Sequence, residues 1–165
     1  MVARLNVEIR DATYNDLPRV LDIERLSFPQ PWSLNSFRRE LSLSFSRLML
    51  AVNGDGQSDR VITGYLCRWL VAEEYHVLNV AVHPDFRQRG IGEALMIAAV
   101  SEARARKAHL MILEVRRSNL EARKLYRKLG FEERRLRRNY YGPGEDALVM
   151  ELDPADSPFG KQRSV

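Results

Sequence analysis

A short segment in the middle of the chain, residues 80–92, constrains the fold more than any other part of the sequence. It reads VAVHPDFRQRGIG, which is typical of a strand, a proline-containing turn and a helix start with two glycines. The first backbone amides of a helix have no partner within the helix, and with the helix dipole they favour a bound anion such as a pyrophosphate. Because glycine has no Cβ, a ligand can approach this backbone closely. The segment therefore predicts a strand–loop–helix unit that binds phosphate.

Two common nucleotide-binding motifs are excluded at this segment. A Walker P-loop requires Gly-Lys followed by serine or threonine, which is absent here. The spacing of the glycines also differs from the dinucleotide-binding fingerprint. Arg87 and Arg89 can add positive charge to a phosphate site. Two glycines taken alone, however, fit a simple tight turn better than a ligand site.

The whole sequence predicts an α/β chain with the element order β-α-α-β-β-β-α-β-α-β-β. Alternating or continuous apolar runs predict the strands, for example 61–71, and apolar residues at helical spacing predict the helices. Asn15 and Asp16 can cap the first helix, and the polar stretch 53–59 is typical of a hairpin loop. Antiparallel hairpins combined with two crossover helices indicate a mixed sheet.

Length and composition favour a single domain, which we place at residues 1–152 of the 165-residue chain, followed by a disordered tail at 153–165. No apolar run reaches about 18 residues, so no membrane span is predicted, and the first residues lack the apolar stretch of a secretory signal. Cys67 is the only cysteine, which excludes a disulfide framework, and the three histidines lack metal-ligand spacing. These features predict a cytoplasmic protein without a bound metal.

Four motifs together resemble the GNAT superfamily of N-acetyltransferases. They are RxxGxG at 87–92 after NVAV at 79–82, LEVRRSNLEARKLYRKLGF at 113–131, RNYY at 138–141 with EDA at 145–147, and PWS at 31–33. The last two are similar to the RimI branch, bacterial enzymes that acetylate the N-terminal alanine of a small-subunit ribosomal protein. The resemblance extends over residues 7–152. It implies a GNAT-type fold with a mixed, mostly antiparallel central sheet flanked by helices.

The same resemblance implies acetyl-CoA as the co-substrate. In GNAT proteins the strand before the phosphate loop holds the pantetheine arm through its backbone, and the matching residues here are Val80, Ala81 and Val82. The phosphates of the cofactor are assigned to the loop and the first helical turn, which contain Arg87, Gln88, Arg89, Gly90, Ile91, Gly92 and Glu93. Asn119 matches a residue that contacts the cofactor. Without the resemblance, Asn119 is simply a good helix cap.

Glu114 and Tyr126 are the candidate catalytic residues. Glu114 lies in an otherwise apolar run, where a carboxylate is costly to bury without a partner. From the residues alone, the alternative is a strand-end glutamate paired with an arginine such as Arg116 or Arg117. The resemblance implies that Glu114 takes the proton of the acceptor amine, directly or through water, and that Tyr126 protonates the departing thiolate. Without the resemblance, Tyr126 fits a packing role on an apolar helix face.

The acceptor is less strongly constrained. Trp32, Tyr140 and Tyr141 are candidate walls of a peptide groove, and core packing is the alternative for these aromatic residues. The leading interpretation is a protein N-terminus, with a ribosomal protein as the partner. A lysine side chain, a polyamine or an aminoglycoside is the alternative acceptor.

A basic RNA-binding module is the non-enzymatic alternative. The net charge is +4, and four arginines fall within residues 134–138. Such a group attracts phosphate or forms a solvated surface. The sequence lacks the aromatic pattern typical of single-strand binders. We therefore expect neither direct nucleic-acid binding nor membrane association.

Overall fold

Residues 6–54 and 59–159 are described by the computed structural model of the chain. Along this part of the chain the strands and helices are β1 (Val7–Asp11), α1 (Leu17–Ser27), α2 (Leu34–Ser42), β2 (Ser46–Asn53), β3 (Val61–Val71), β4 (Glu74–Val82), α3 (Ile91–Ala105), β5 (Leu110–Arg116), α4 (Leu120–Leu129), β6 (Glu132–Arg137) and β7 (Ala147–Leu152). The predicted element order is thereby confirmed. The central part of the predicted hairpin loop, 55–58, lies outside the described residues.

The strands form one sheet in the order β1-β2-β3-β4-β5-β7-β6. Antiparallel pairing joins β1 to β2, β2 to β3, β5 to β7 and β6 to β7, whereas β4 and β5 are parallel. A parallel pair needs a crossover connection, which α3 supplies. The sheet is therefore mixed and mostly antiparallel, as predicted. None of the helices in the described part of the chain has the length and apolar character needed to cross a bilayer.

The chain divides into two compact units, and the first comprises Met1–Trp69 and Asn79–Met96. Its fully buried side chains come from α1, α2, β2, β3 and the first turns of α3. They include Val20, Phe37, Leu50, Tyr65 and Leu95.

The second unit comprises Leu70–Leu78 and Ile97–Val165. Burial alternates along β5: Met111, Leu113 and Val115 are buried, whereas the residues between them are partly exposed. Glu114 therefore lies on the partly exposed face of the strand, where an acid can stay in contact with solvent.

The start of α1 differs from the predicted cap. Asp16 precedes the helix, but its side chain does not cap the helix. The carboxylate instead accepts hydrogen bonds from the amide and the hydroxyl of Thr13 (2.8 and 3.1 Å) and pairs with Arg10 at 2.9 Å. Hydrogen bonding to the Arg10 guanidinium lowers the pKa of Asp16 to about 2. Asp16 thus stabilises the turn before α1. Its carboxylate oxygens are occupied by Arg10 and Thr13 and are not available to cap the helix.

Residues 153–159 of the predicted disordered tail are packed within the second unit, and the remainder of that tail, 160–165, lies outside the described residues. A 3-10 turn spans Pro154–Asp156. Ser157 is fully buried, and its hydroxyl donates to the Leu129 carbonyl at 2.6 Å. Arg104 donates to two backbone carbonyls of the same segment. The last carbonyls of a helix need partners outside it, and the tail supplies one for α4. The tail contains no apolar run, so nothing in its sequence predicts that it is ordered.

Candidate active site

The predicted phosphate-binding loop follows β4 directly. A 3-10 turn spans Pro84–Phe86. After it, Gln88 and Gly90 have positive φ angles of 61° and 82°, which turn the chain sharply before α3. Left-handed backbone is uncommon for glutamine, and such conformations concentrate at ligand-binding sites. Ala94 donates to the Gly90 carbonyl at 3.0 Å, so the amides of the turn before it have no partner within the helix.

The two arginines of the loop stabilise its shape. Arg87 Nε donates to the Val82 carbonyl at 3.1 Å, and Nη2 donates to Ser27 Oγ at 3.3 Å. The guanidinium of Arg89 lies over the Phe86 ring, 5.7 Å from its centroid. Both side chains reach solvent. They therefore place positive charge at the loop while they hold it in position.

The backbone of β3 approaches β4, the strand before the loop, closely at Gly64. A Cβ at Gly64 of β3 would lie 2.9 Å from the Ala81 carbonyl and 3.2 and 3.3 Å from side-chain atoms of Leu95 and Ile91. Glycine is required there because any side chain would displace the β4 backbone or the first turn of α3. The residues on either side of Ala81 are partly exposed, so the candidate pantetheine-binding strand is both fixed and accessible.

A buried carboxylate that was not predicted from the sequence lies beside this strand. Glu24 of α1 is 1% exposed. It accepts hydrogen bonds from the backbone amide of Trp32 (3.0 Å), from Asn79 Nδ2 (2.9 Å) and from the Tyr65 hydroxyl. Burial and the adjacent carboxylate raise the pKa of Tyr65. In the sequence, the signal for the burial of Glu24 was its position four residues after Val20, on the apolar face of the helix.

Trp32 lies in the break between α1 and α2. Its ring packs against Phe37, with the centroids 5.4 Å apart, and Phe37 in turn meets the edge of Tyr65 at 5.6 Å. Trp32 itself remains partly exposed. The indole is therefore anchored in the core of the first unit and still offers surface to a ligand.

Glu114 meets a cation and a phenol at the surface of the sheet. Its side chain is 26% exposed, and Oε1 lies 3.3 Å from Nη1 of Arg137 in β6. Interaction with the same carboxylate raises the pKa of Tyr140. The acid is thus oriented from two sides without being sealed from solvent.

The cation beside Glu114 is not one of the predicted partners. Arg116 pairs instead with Glu145 at 3.3 Å, and Arg117 pairs with Asp146 at 3.6 Å. β7 lies between β5 and β6 in the sheet, and the long side chain of Arg137 extends across β7 to Glu114. Only the strand order, which local sequence does not contain, brings this arginine to the acid.

Tyr126 is buried in α4, 6% exposed, and its ring packs against Phe131 with the centroids 6.0 Å apart. Burial, with a contribution from Tyr141, raises the pKa of Tyr126 above its ordinary value. Burial and the Glu114 carboxylate raise the pKa of Tyr141 to about 12. Tyr141 therefore interacts electrostatically with both candidate catalytic residues, and the Tyr126 phenol keeps its proton at neutral pH.

The two neighbouring tyrosines are held by arginines. The rings of Tyr140 and Tyr141 meet edge-on at 5.1 Å. The Arg116 guanidinium lies 4.3 Å from the centroid of Tyr141, and that of Arg137 lies 5.4 Å from the centroid of Tyr140. Tyr140 is 51% exposed. These contacts suit an ordered aromatic surface rather than a buried core.

Both ends of α4 match the predicted signals. Asn119 Oδ1 accepts a hydrogen bond from the Ala122 amide at 3.2 Å, which confirms Asn119 as the helix cap. Gly130, with φ of 107°, ends the helix. The side chain of Asn119 is exposed, so its amide nitrogen can reach a ligand.

The structure places the predicted site residues in two groups. Glu114, Tyr126, Tyr140 and Tyr141 belong to the second unit, as does Asn119, whereas the phosphate loop and Trp32 belong to the first. Among residues 6–54 and 59–159, no three histidine, cysteine, aspartate or glutamate side chains are arranged to hold a metal ion.

The element order and the mixed sheet are those expected of a GNAT-type acyltransferase. Residues 17–131 match the model of the Acetyltransferase (GNAT) family, and the chain belongs to that family. The matched region contains the loop, both candidate catalytic residues and Asn119. Family membership supports an enzyme rather than the non-enzymatic module. Within the basic group, Arg134 is paired with Glu132 at 3.0 Å.

Curated relatives cover most of the chain. The ribosomal protein bS18-alanine N-acetyltransferase of Escherichia coli K12 is 34% identical over 140 residues, which is 83% of this chain and 90% of the relative. An N-alpha-acetyltransferase of Sulfurisphaera tokodaii is 32% identical over 155 residues, 86% of this chain and 90% of the relative. The crystal structure of the Escherichia coli ribosomal-protein-S18-alanine N-acetyltransferase matches with a TM-score of 0.80 at 30% identity and covers 97% of this chain and 100% of its own. The resemblance to the RimI branch is confirmed.

Proposed function

We propose that this chain transfers the acetyl group of acetyl-CoA to the α-amino group of a protein N-terminus. The proposed acceptor is the N-terminal alanine of a small-subunit ribosomal protein, and the proposed compartment is the cytoplasm. The observation that carries the proposal is the group of Glu114, Arg137, Tyr140 and Tyr141, joined by an ion pair and ring contacts in a chain whose relatives are named for this reaction.

The first unit offers groups that suit the cofactor, which brings an acetyl thioester to the site when bound. Its pyrophosphate is an anion, and the loop provides helix-start amides and two cations. The proposed phosphate contacts are Arg87, Gln88, Arg89, Gly90, Ile91, Gly92 and Glu93. The backbone of Val80, Ala81 and Val82 is proposed to hold the pantetheine arm. Asn119 adds a side-chain amide at the start of α4.

Glu114 is the proposed base. An N-terminal amine has a pKa of ~8 and is mostly protonated at neutral pH, so it must lose a proton before it can attack the thioester. The Glu114 carboxylate is accessible and already neighbours a cation, Arg137. An arriving ammonium group can replace the guanidinium beside this carboxylate without leaving an unpaired charge.

Tyr126 is the proposed acid. The departing thiolate has a conjugate acid with a pKa of ~8.5. The Tyr126 phenol is protonated at neutral pH and so holds a proton that the thiolate can receive, while burial raises its pKa and makes it a weaker acid. A thiolate formed in the same buried surroundings is itself disfavoured as an anion, which promotes the transfer.

The proposed contacts of the acceptor are Trp32 in the first unit and Tyr140 and Tyr141 in the second. Each presents a partly exposed aromatic ring that is fixed from behind by an aromatic or arginine neighbour. Rigid aromatic surfaces contact a peptide at low entropic cost.

Replacement of Glu114 by glutamine tests the proposed base. Glu114→Gln keeps the side-chain size and removes the proton acceptor, so we expect kcat on an alanine-starting peptide to fall about 10²–10⁴-fold. Glu151→Gln is the matched control, because Glu151 is also a partly buried strand glutamate facing an arginine of β6, Arg134, at 3.6 Å. The control should retain kcat. Wild-type kcat in Glu114→Gln from about pH 6 to pH 9 would reject the assignment.

The acceptor class is tested with short peptides varied at their first two positions. Each peptide is supplied with a free N-terminus and with a blocked N-terminus followed by a lysine. We expect acetylation of the free N-termini, highest for alanine. Activity confined to the blocked, lysine-containing peptides would overturn the proposal and favour a side-chain amine as acceptor.

A further inference from the structure

Glu24 joins three separate segments of the first unit through one carboxylate. Oε1 accepts from the Trp32 amide, and Oε2 accepts from Asn79 Nδ2 and from the Tyr65 hydroxyl. Asn79 Nδ2 also donates to the Tyr65 oxygen at 3.0 Å. A carboxylate this deeply buried is costly unless it is fully hydrogen-bonded. The three donors meet that requirement and make the geometry around Glu24 well defined.

Two of the three partners adjoin groups with a proposed function. Trp32 carries the indole proposed to contact the acceptor, and Glu24 holds its backbone rather than its ring. Asn79 directly precedes the strand residues 80–82. A single side chain therefore fixes the chain break that presents Trp32 and the start of the strand assigned to the pantetheine arm.

A second buried glutamate of the same unit provides the comparison. Glu40 of α2 is 8% exposed and accepts hydrogen bonds from Ser46 Oγ at 2.6 Å and from Trp69 Nε1 at 2.7 Å. Neither partner, Ser46 or Trp69, is a proposed site residue or adjoins one in the sequence. Glu40 thus has the same chemistry and a similar cost of burial, but without a link to the site.

We propose that Glu24 is a positioning residue for the acceptor: its carboxylate fixes the Trp32 backbone, and thereby the indole, relative to the strand that follows Asn79. This inference rests on the proposed function for its kinetic consequence. It does not rest on it for the structural consequence, which is the immobilisation of Trp32.

The kinetic test compares Glu24→Gln with Glu40→Gln. Glutamine keeps the volume but cannot accept from all three donors, since one oxygen becomes an amide nitrogen. We expect the KM for an alanine-starting peptide to rise about tenfold or more in Glu24→Gln, as for loss of a hydrogen bond to a charged group. Both variants should lose similar stability, and Glu40→Gln should keep the wild-type KM. Equal KM values in the two variants would overturn the proposal.

A readout without activity uses the two tryptophans as ¹⁹F probes after incorporation of 5-fluorotryptophan. Glu24→Gln should shift or broaden the Trp32 resonance and leave that of Trp69 unchanged, and Glu40→Gln should do the reverse. An unchanged Trp32 resonance in Glu24→Gln would sink the inference.

Tyr65→Phe covers the case in which Glu24→Gln does not fold. It removes the hydroxyl that donates to Glu24 and that accepts from Asn79 Nδ2, and it leaves the carboxylate in place. A rise of about threefold in peptide KM is expected, and an unchanged KM together with an unchanged Trp32 resonance counts against the proposal. A wild-type protein inactive on every peptide would instead overturn the proposed function, and with it the acceptor role of Glu24. Wild-type activity with unaltered Glu24→Gln kinetics overturns the role of Glu24 alone.

Discussion

At Glu114 a carboxylate, a guanidinium and a phenol hydroxyl meet on the open face of β5. The ion pair with Arg137 is partly exposed, so water and salt screen it, and its contribution to stability is small. Its consequence is geometric. The pair orients the acid, and the same guanidinium also packs against the Tyr140 ring.

Tyr126 allows a sharp test of the proposed acid. Tyr126→Phe keeps the packing against Phe131 and removes the proton donor, so we expect kcat to fall about 10²–10⁴-fold with little change in the melting temperature. Steady-state kinetics and thermal unfolding of the same samples check both expectations.

Tyr75→Phe is the control for this change. Tyr75 is fully buried in the second unit, and its hydroxyl donates to Glu102 at 2.7 Å. The variant loses the hydroxyl of a buried tyrosine of the same unit but no proposed proton donor. A similar loss of kcat in both variants would mean that Tyr126 acts through packing.

Single residues differ in how well their roles could be predicted. Glu114 stood out because an acid interrupts an apolar strand, and Asn119 because of its place before a helix. Glu24 was hidden, since one glutamate on an apolar helix face shows neither its burial nor its three donors. Those donors come from residues 32, 65 and 79, and only the folded chain brings them together.

Among the elements, α4 has the most clearly defined boundaries. Asn119 satisfies an amide at its start, and Gly130 adopts the left-handed conformation at its end. Local rules of this kind predicted these ends. They failed for α1, because the oxygens of Asp16 are taken by Arg10 and Thr13.

The cap of α4 separates two roles of Asn119. Asn119→Ala should lower the free energy of unfolding by about 1 kcal/mol, as expected for the loss of a helix cap. Asn119→Ser keeps a capping oxygen and so should restore stability, but it lacks the amide donor and should still raise the KM for acetyl-CoA about 2- to 10-fold. Chemical denaturation and cofactor titration distinguish the two effects. Full recovery of the KM in Asn119→Ser would assign Asn119 to capping alone.

For the whole molecule, hydrophobic periodicity was sufficient to predict the order of strands and helices. It could not predict the division into two compact units, because that depends on which strands pair and not on how each strand forms. The packed tail was also missed, since hydrogen bonds from Ser157 and Arg104 hold it.

The response of the whole fold to alkaline pH follows from Cys67, which is fully buried in β3. Burial and the Glu40 carboxylate raise the pKa of this thiol from 9.0 to about 12. In the folded protein the thiol keeps its proton, whereas in the unfolded chain it ionises above its ordinary pKa. The free energy of unfolding should therefore fall as pH rises, and Cys67 alone should account for about 2 kcal/mol between about pH 8 and pH 10.5.

Urea unfolding of the wild type and of Cys67→Ala under reducing conditions isolates this contribution. The variant starts from a lower stability but should lose about 2 kcal/mol less over the same range. Identical slopes against pH would show that the thiol is not protected from ionisation.

The ordered chain continues beyond β7, its last strand. The Ser157 hydroxyl donates to the final turn of α4, the helix that contains Tyr126. Arg104 donates to two backbone carbonyls of the same segment. A protein trimmed after Leu152 would lose a donor to the Leu129 carbonyl and both acceptors of Arg104. For anyone preparing this protein, a purification tag or a fluorescent fusion belongs beyond Phe159, not directly behind β7.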